Sequence, residues 1–449
     1  VVPMKKVSSK HEKYEGAYVK EPQTGLHNWV MSFDLNSLYP HLIMQYNISP
    51  ETMAREGNGK VNVERMLNQE VDIPDDGYTV TPNGARFRID KQGFLPQLME
   101  KFYSDRVKFK KWTLEAKQRY EDSKDKKYLN EISKYNNIQM ARKIALNSAY
   151  GAVGNQYFRY YDEKMATAIT TSGQLAIRWI ENDVNKYLNS ILQTDGKDYV
   201  IAVDTDSIYV SFDELVSKSF GEKDDISNDR VVSFLATVAE KKLEPFIDES
   251  YKRLASYVNA YAQKMDMERE VIADKGIWTA KKRYILNVYD SEGVRYAEPQ
   301  LKIMGIEAVK SSTPEPCRDM IKTALKVIIN EDEITLNTFI QSFRKTFMNL
   351  PPENIAYPRS CNGLKKWSSS SSIYKKSCPM HIKGALIYNY LLKKHKVTHK
   401  YPLIQEGDKI KFLELRTPNK MQSNVISFMG RLPKEFDLQK VINYDIMFD

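Results

Sequence analysis

The sequence predicts an α+β fold divided among several domains, on three observations. The chain has 449 residues, too many for one compact core and enough for two to four domains. Short apolar runs bounded by turn residues read as strands at Trp29–Leu35, Tyr199–Val203 and Ile208–Phe212. Between the first and second of these lies a long polar stretch, Leu95–Lys134 then Asn136–Tyr150, whose Lys- and Glu-rich pattern is helical.

The elements follow in order. Pro82-Asn83-Gly84 is a turn within the strand-bearing first ninety residues. The helical stretch breaks around Asp122–Asp125, and its second part is stopped by Gly151 and Gly154. The pair reads as an antiparallel helical hairpin inserted into a mixed body. Ala166–Leu192 is an amphipathic helix, and Asp204-Thr205-Asp206-Ser207 turns a hairpin between two apolar runs. Helices are expected across Asp229–Lys264, then strands over Tyr284–Tyr289 and Arg295–Ala297 joined by Ser291-Glu292-Gly293. Beyond Ser311 come helices Glu315–Ile329 and Leu336–Leu350. A Pro/Ser-rich stretch from Pro351 to Ser372, with five consecutive serines, is expected to be a mobile loop. A domain boundary is expected near residue 306.

Composition excludes several classes. Hydrophobic residues at 42% and charged residues at 28% describe a globular chain, not a disordered tail or a fibre. No apolar run approaches the roughly 18 residues that span a bilayer, so an integral helical membrane protein is not expected, and Val1–Lys13 holds no apolar core of signal-peptide length. Three cysteines (Cys317, Cys361, Cys378) cannot build a disulfide framework and fit a reducing compartment. Cys378 and His381 have CxxH spacing without a second ligand pair, so an ordinary loop is preferred to a zinc site. The net charge of +9 is unevenly placed: Lys101–Lys143 holds 13 basic against 6 acidic residues. Phe102, Tyr103, Phe109, Trp112 and Tyr120 are interleaved there, as a polyanion-binding face requires, although a solvated helix surface has the same composition. A second basic cluster is Lys393-Lys394-His395-Lys396 with His399 and Lys400.

Asp34 ends the first strand, and Asp204 and Asp206 sit in the hairpin turn. Carboxylates at strand ends are exposed on a rigid backbone, which suits hard cations that keep positions open for water and phosphate. An EF-hand loop from Asp204 fails, because Tyr209 and Leu215 stand where Gly and Glu are required. An aspartic protease would need two catalytic Asp motifs each followed by a permissive Gly, and neither is present. An Asx-rich turn without ligand stays open on these residues alone.

The combination goes further. Asp34-Leu35-Asn36-Ser37-Leu38-Tyr39-Pro40 resembles the first signature (DxxSLYP) of family B DNA polymerases, and Lys143 to Gly151 resembles the signature KxxxNSxYG. Asp204-Thr205-Asp206-Ser207 and Lys281-Lys282-Arg283-Tyr284 resemble the second acidic signature and the KKRY motif, all four in the family's order. Tyr157 to Asp162, Tyr296 to Pro299, Lys302 to Gly305 and Lys310 to Pro314 are similar to the T-even-like phage branch. The resemblance covers nearly the whole chain, most weakly over 53–100 and after 350.

It implies a right-hand architecture: an antiparallel-sheet palm (1–92 and 155–305), helical-hairpin fingers (93–154) and a mostly helical thumb (306–449). It implies template-directed addition of dNTPs to a primer 3′-hydroxyl with two Mg2+ ions, Mn2+ being able to substitute. Asp34 and Asp206 are the implied bridging ligands with the Leu35 carbonyl, and Asp204 lies nearer the primer terminus. Arg106 and Lys110 at i, i+4 and Lys143, Asn147 and Tyr150 at i, i+4, i+7 share helix faces. The resemblance makes the three cations triphosphate ligands and places Asn147 and Tyr150 near the nascent base pair, with Ser37 and Leu38 as further nucleotide contacts. Tyr39 is the implied ribose discriminator. Lys281, Lys282, Arg283, Tyr284 and Lys310 are the implied DNA contacts, and the thumb's basic clusters are expected to grip duplex phosphates.

Some residues depart from the pattern. Ala202-Val203 stand where Tyr-Gly is usual, Ala149 replaces a Leu, and the 37 residues from Arg106 to Lys143 make the expected fingers short. Nothing in these residues resembles the acidic motifs of a 3′→5′ exonuclease, and the family's clamp-binding tail is not expected among them. Polymerisation without proofreading is therefore expected of this chain, as a fragment or one half of a split polymerase. Implied partners are primer–template DNA, dNTPs, a sliding clamp and a separate or missing exonuclease, with no membrane. The implied location is the cytoplasm of an infected host cell. The alternative reading is a catalytically inactive homologue acting as a DNA-binding or scaffold subunit.

Overall fold

A computed structural model describes residues 16–54, 59–221 and 226–449. It divides into two compact units, one running to Lys281 and including Leu286–Gln300, the other comprising Lys282–Ile285 and Leu301–Asp449. The architecture is α+β with antiparallel sheets.

In the first unit β1 (Gly25–Leu35) leads into α1 (Leu38–Gln45), followed by α2 (Val63–Leu67) and a small hairpin of β2 (Tyr78–Val80) and β3 (Arg86–Arg88). Helices α3 (Phe94–Ser123) and α4 (Lys127–Val153) form the hairpin, and α5 (Glu163–Leu192) crosses the core. Strands β4 (Val200–Asp204) and β5 (Ser207–Ser211) precede α6 (Asp213–Phe220), α7 (Asn228–Val238), a π-helical turn over Ala239–Leu243 and α8 (Glu244–Tyr257). Strands β6 (Met267–Ala280), β7 (Arg283–Ser291) and β8 (Val294–Met304) complete a sheet in the order β4-β5-β1-β6-β7-β8.

β1 is central because it is apolar on both faces: Val30, Met31, Phe33 and Leu35 are all buried. Asp162 caps α5, its side chain accepting from the amides of Lys164 and Met165 at 2.9 and 3.3 Å. Gly173 lets α5 approach α1, since a Cβ there would sit 3.3 Å from the Tyr39 ring. The long α3–α4 pair holds few buried side chains, which is why its composition is polar throughout.

The structure moves several expected boundaries. The α4 helix passes through Gly151 and ends at Gly154, which is right-handed (φ −82°) and not a left-handed stop. The helices expected to reach Lys264 end at Tyr257, and the 14-residue strand β6 was not anticipated.

In the second unit α9 (Glu315–Asn330) and α10 (Glu333–Phe347) are followed by α11 (Pro352–Ile355), β9 (Tyr357–Ser360) and α12 (Leu364–Trp367). Strands β10 (Ser368–Ser369) and β11 (Ile373–Tyr374) make a short hairpin, then come α13 (Met380–Lys394), β12 (Lys409–Glu414), β13 (Val425–Phe428) and α14 (Tyr444–Phe448). The expected loop at 351–372 is thus occupied by short elements. Helices outnumber strands in this unit, and it also holds a sheet that was not expected: β13-β12-β9 pair antiparallel and are covered by α13. Its core joins Phe347, Ile382, Tyr388, Leu413 and Phe428.

Candidate active site

The carboxylates converge because β1 lies between β5 and β6. Register places Asp34 opposite Ser207 on one side and Glu268 on the other. Ser207 Oγ donates to Asp34 Oδ1 at 2.5 Å, and the Leu35 amide donates to the Asp206 carbonyl at 2.9 Å. The turn of the β4–β5 hairpin closes with the Asp206 amide on the Asp204 carbonyl at 2.7 Å, and Thr205 takes a left-handed φ of 61°. Asp34, near the end of β1, and Asp206, in the turn that enters β5, are thus neighbours although distant in sequence.

β6 adds acidic groups that the sequence reading did not single out. A register shift between Ser32 and Phe33 leaves Glu270 outside the regular pairing, where it accepts from Ser32 Oγ at 3.2 Å. Asn36 Nδ2 donates to Asp266 and Glu268 at 3.1 and 3.2 Å. Burial, then the Asp34 charge, with Asp204 and Glu270 adding to them, pushes the Asp206 carboxyl up to about 7. The result is an open cleft of about 470 Å³ whose lining includes Asp34, Asn36, Lys110, Glu268, Arg269 and Glu270. The two glutamates two residues apart in sequence, Glu268 and Glu270, were the available signal for them.

The helical hairpin supplies positive charge. Arg106 Nη1 donates to Ser37 Oγ at 3.4 Å, and Arg106 Nε is buried with no hydrogen-bond partner among the described residues. Lys110, one turn further along α3, lines the cleft. On α4, Lys143 and Asn147 are exposed, and the Tyr150 ring lies 4.7 Å from that of Tyr39. Ser37 takes a left-handed φ of 48° at the start of α1, while Leu38 is only 3% exposed and joins the core. His41 sets its ring edge-on to Tyr103 of α3 at 4.5 Å and contacts the Ser37 carbonyl through Nδ1 at 3.0 Å; burial lowers its pKa. Asp34, Leu35, Asp204, Asp206, Ser37, Tyr39, Arg106, Lys110 and Tyr150 therefore lie on elements packed around one region of the first unit.

The basic motif is placed differently. Lys281 and Lys282 form the turn between β6 and β7, with Lys281 paired to Glu21 at 3.2 Å and Lys282 at φ 60°. Lys282, Arg283, Tyr284 and Lys310 belong to the second unit. Tyr284 is 4% exposed, and Glu307 holds Arg283 through two bonds (3.1 and 2.7 Å) and Lys310 at 2.9 Å. Lys310 and then Arg283 keep the Glu307 carboxyl at about 2. Ala202 and Val203 are core residues of β4.

Residues 1–222 match the model of DNA polymerase family B. The chain is 37% identical to the DNA-directed DNA polymerase of Escherichia phage RB69 and 34% identical to that of Enterobacteria phage T4. In both cases 97% of the chain aligns, against 53% and 54% of the relative, so it spans about half the length of these curated relatives. DNA polymerase 1 of Pyrococcus abyssi is 28% identical over 77% of the chain and 36% of its own length. The match to the phage proteins extends through all four motifs and both structural units, and the chain belongs to DNA polymerase family B.

Proposed function

We propose that this chain carries out DNA-directed DNA synthesis, adding dNTPs to a primer 3′-hydroxyl on a template. The observation that carries the reading is the pairing of Asp34 and Asp206 at adjoining strand ends, with Arg106 and Lys110 presented from the helical hairpin. Phosphoryl transfer asks for alignment and charge neutralisation more than covalent help. The RB69 and T4 relatives are named for the same activity.

The donor set fits divalent cations: it is all oxygen, and the Asp206 carboxyl is raised first by its burial and then by the neighbouring Asp34 charge. Asp34, Asp206 and the Leu35 carbonyl would hold two Mg2+ ions, with Mn2+ as a substitute. When bound, such ions activate the primer hydroxyl and stabilise the leaving pyrophosphate. Among the described residues no closed cage of three such side chains is present. Mg2+ is usually held by one or two carboxylates plus substrate phosphates and water.

The chain's own groups do the rest. Arg106, Lys110 and Lys143 neutralise the triphosphate, with Arg106 braced on Ser37. Tyr150 and Tyr39 wall the space for the base and sugar, Tyr39 excludes a 2′-hydroxyl, and Asn147 lies near the nascent base pair. Asp204 faces the primer end. Lys281, Lys282, Arg283, Tyr284 and Lys310 are the contacts to DNA backbone in this proposal. In this proposal residues 1–92 and 155–305 are the palm, 93–154 the fingers and 306–449 the thumb. A sliding clamp and a separate or missing 3′→5′ exonuclease domain complete the proposal, in the cytoplasm of a phage-infected cell. No helix of the described residues is long and apolar enough to cross a membrane.

Primer extension by the purified chain with Mg2+ tests the reading. Templated elongation is expected. Binding of primer–template without nucleotide addition contradicts it.

A further inference from the structure

We propose that the extended segment Tyr18–Gln23 is a clasp that sets the separation of Asp204 and Asp206, with Lys20 as the positioning residue that fixes it. This rests on the polymerase reading above. β4 is the edge strand of the sheet, so its outer row of backbone groups needs a cover. The segment provides one. The Gln23 amide donates to the Ile201 carbonyl at 2.9 Å, Lys20 to Val203 at 3.1 Å, and Val19 bridges Asp204. At the far end the direction reverses, and the Thr205 amide donates to the Tyr18 carbonyl at 3.0 Å.

That last bond falls where the turn is least able to hold itself. Thr205 is β-branched and sits at φ 61°, a conformation that such residues adopt only when their surroundings impose it. The same peptide links the two carboxylates, so any relaxation of Thr205 alters their spacing directly. A misplacement of about 1 Å in a reacting constellation is enough to cost on the order of a hundredfold in rate.

The clasp is anchored to the core helix α5. Lys20 Nζ donates to Asp198 at 2.6 Å and to the Val200 carbonyl at 2.6 Å, and pairs with Glu181 of α5 at 2.8 Å. Its side chain is 15% exposed and that of Glu181 11%, so this ammonium is tolerable only with its partners in place. Two residues before Lys20, the centre of the Tyr18 ring lies 5.1 Å from Arg178 of α5, which is itself held by Glu64 at 2.6 Å. Both ends of the three-residue piece that touches Asp204 and Thr205 are therefore fixed to one rigid element. None of these side chains touches nucleotide or primer in the proposal; they act through the turn.

The test uses the full chain with Lys20→Met, and Lys20→Arg as the conservative variant. For Lys20→Met we expect kcat for primer extension to fall about tenfold or more, the range typical of lost outer-shell support. KM for dNTP and duplex affinity should stay within about twofold, and Lys20→Arg should recover most of the rate. Two readouts do not need turnover. Mn2+ affinity of the chain alone, followed by electron paramagnetic resonance, should weaken about tenfold. The Thr205 amide should exchange with solvent faster. If Lys20→Met disrupts the fold, Tyr18→Ala takes its place with the same expectations. A folded variant with wild-type kcat, Mn2+ affinity and Thr205 exchange overturns the clasp. A wild-type chain that fails to extend primers overturns the polymerase reading instead, and the exchange and Mn2+ measurements still decide the clasp.

Discussion

Asp206→Asn removes the charge that the site tolerates least, and so it should stabilise the metal-free protein while abolishing its activity. Burial and the Asp34 charge raise the Asp206 carboxyl from 3.8 to about 7. At about 1.4 kcal/mol per pH unit, keeping it ionised at pH 8 costs the native state up to roughly 4 kcal/mol. Partial solvent access, and the desolvation of the replacing amide, reduce the expected gain to on the order of 1–3 kcal/mol. The native state binds this proton more tightly than the unfolded chain does. Wild-type stability therefore falls as pH rises from about 4 to about 7, and the penalty is fully present above that window. Urea melts in chelator should show the variant more stable than wild type at pH 8, with the gap closing as pH falls toward 4. Primer extension should be lost at every pH, with duplex binding retained. A variant no more stable than wild type at pH 8, or a gap that widens in acid, would refute the electrostatic account of the site.

Other outcomes follow from other parts of the molecule. Gly384→Ala should destabilise the second unit by about 1–3 kcal/mol, because a Cβ there would meet Ser427 Oγ at 2.5 Å and its backbone N at 2.7 Å; an unchanged denaturation midpoint would count against the packing of α13 on β13. Tyr39→Val should raise ribonucleotide incorporation by about tenfold or more in competition assays, since a rejecting contact is removed; unchanged sugar selectivity would free Tyr39 from that role. Glu307→Gln removes the carboxylate shared by Arg283 and Lys310. It should tighten duplex binding by about two- to fivefold at low salt and steepen its salt dependence; weaker binding would mean that Glu307 orients these cations and does not restrain them.

Much of the site was legible in the sequence because its residues sit in compact signals. Two carboxylates two residues apart between apolar runs can only be a hairpin turn, and Arg106 and Lys110 need nothing more than helix spacing to share a face. β6 was hidden for a physical reason: the shift at Ser32/Phe33 and the close approach at Gly276, whose Cβ would meet Trp278 and Leu286 at 2.7 Å, interrupt its period-2 pattern. With β6 went Glu268 and Glu270. The second unit's sheet was hidden by its dispersion, since β9 is four residues long and pairs with β12 some fifty residues later. Leu38 follows from motif position alone: its side chain joins the core, which composition and spacing do not distinguish from a surface position. Lys20 carried no local signal, because its partners Asp198 and Glu181 are far away in sequence.

The central claim is that Asp34 and Asp206 form one metal-dependent centre for nucleotide addition. Single-turnover incorporation of a templated dNTP, measured against Mg2+ concentration for wild type, Asp34→Asn and Asp206→Asn, tests it most directly. Wild type should show saturable Mg2+-dependent incorporation, and either variant none, at undiminished primer–template affinity. Incorporation that persists in either variant, or is independent of divalent cation, would contradict it.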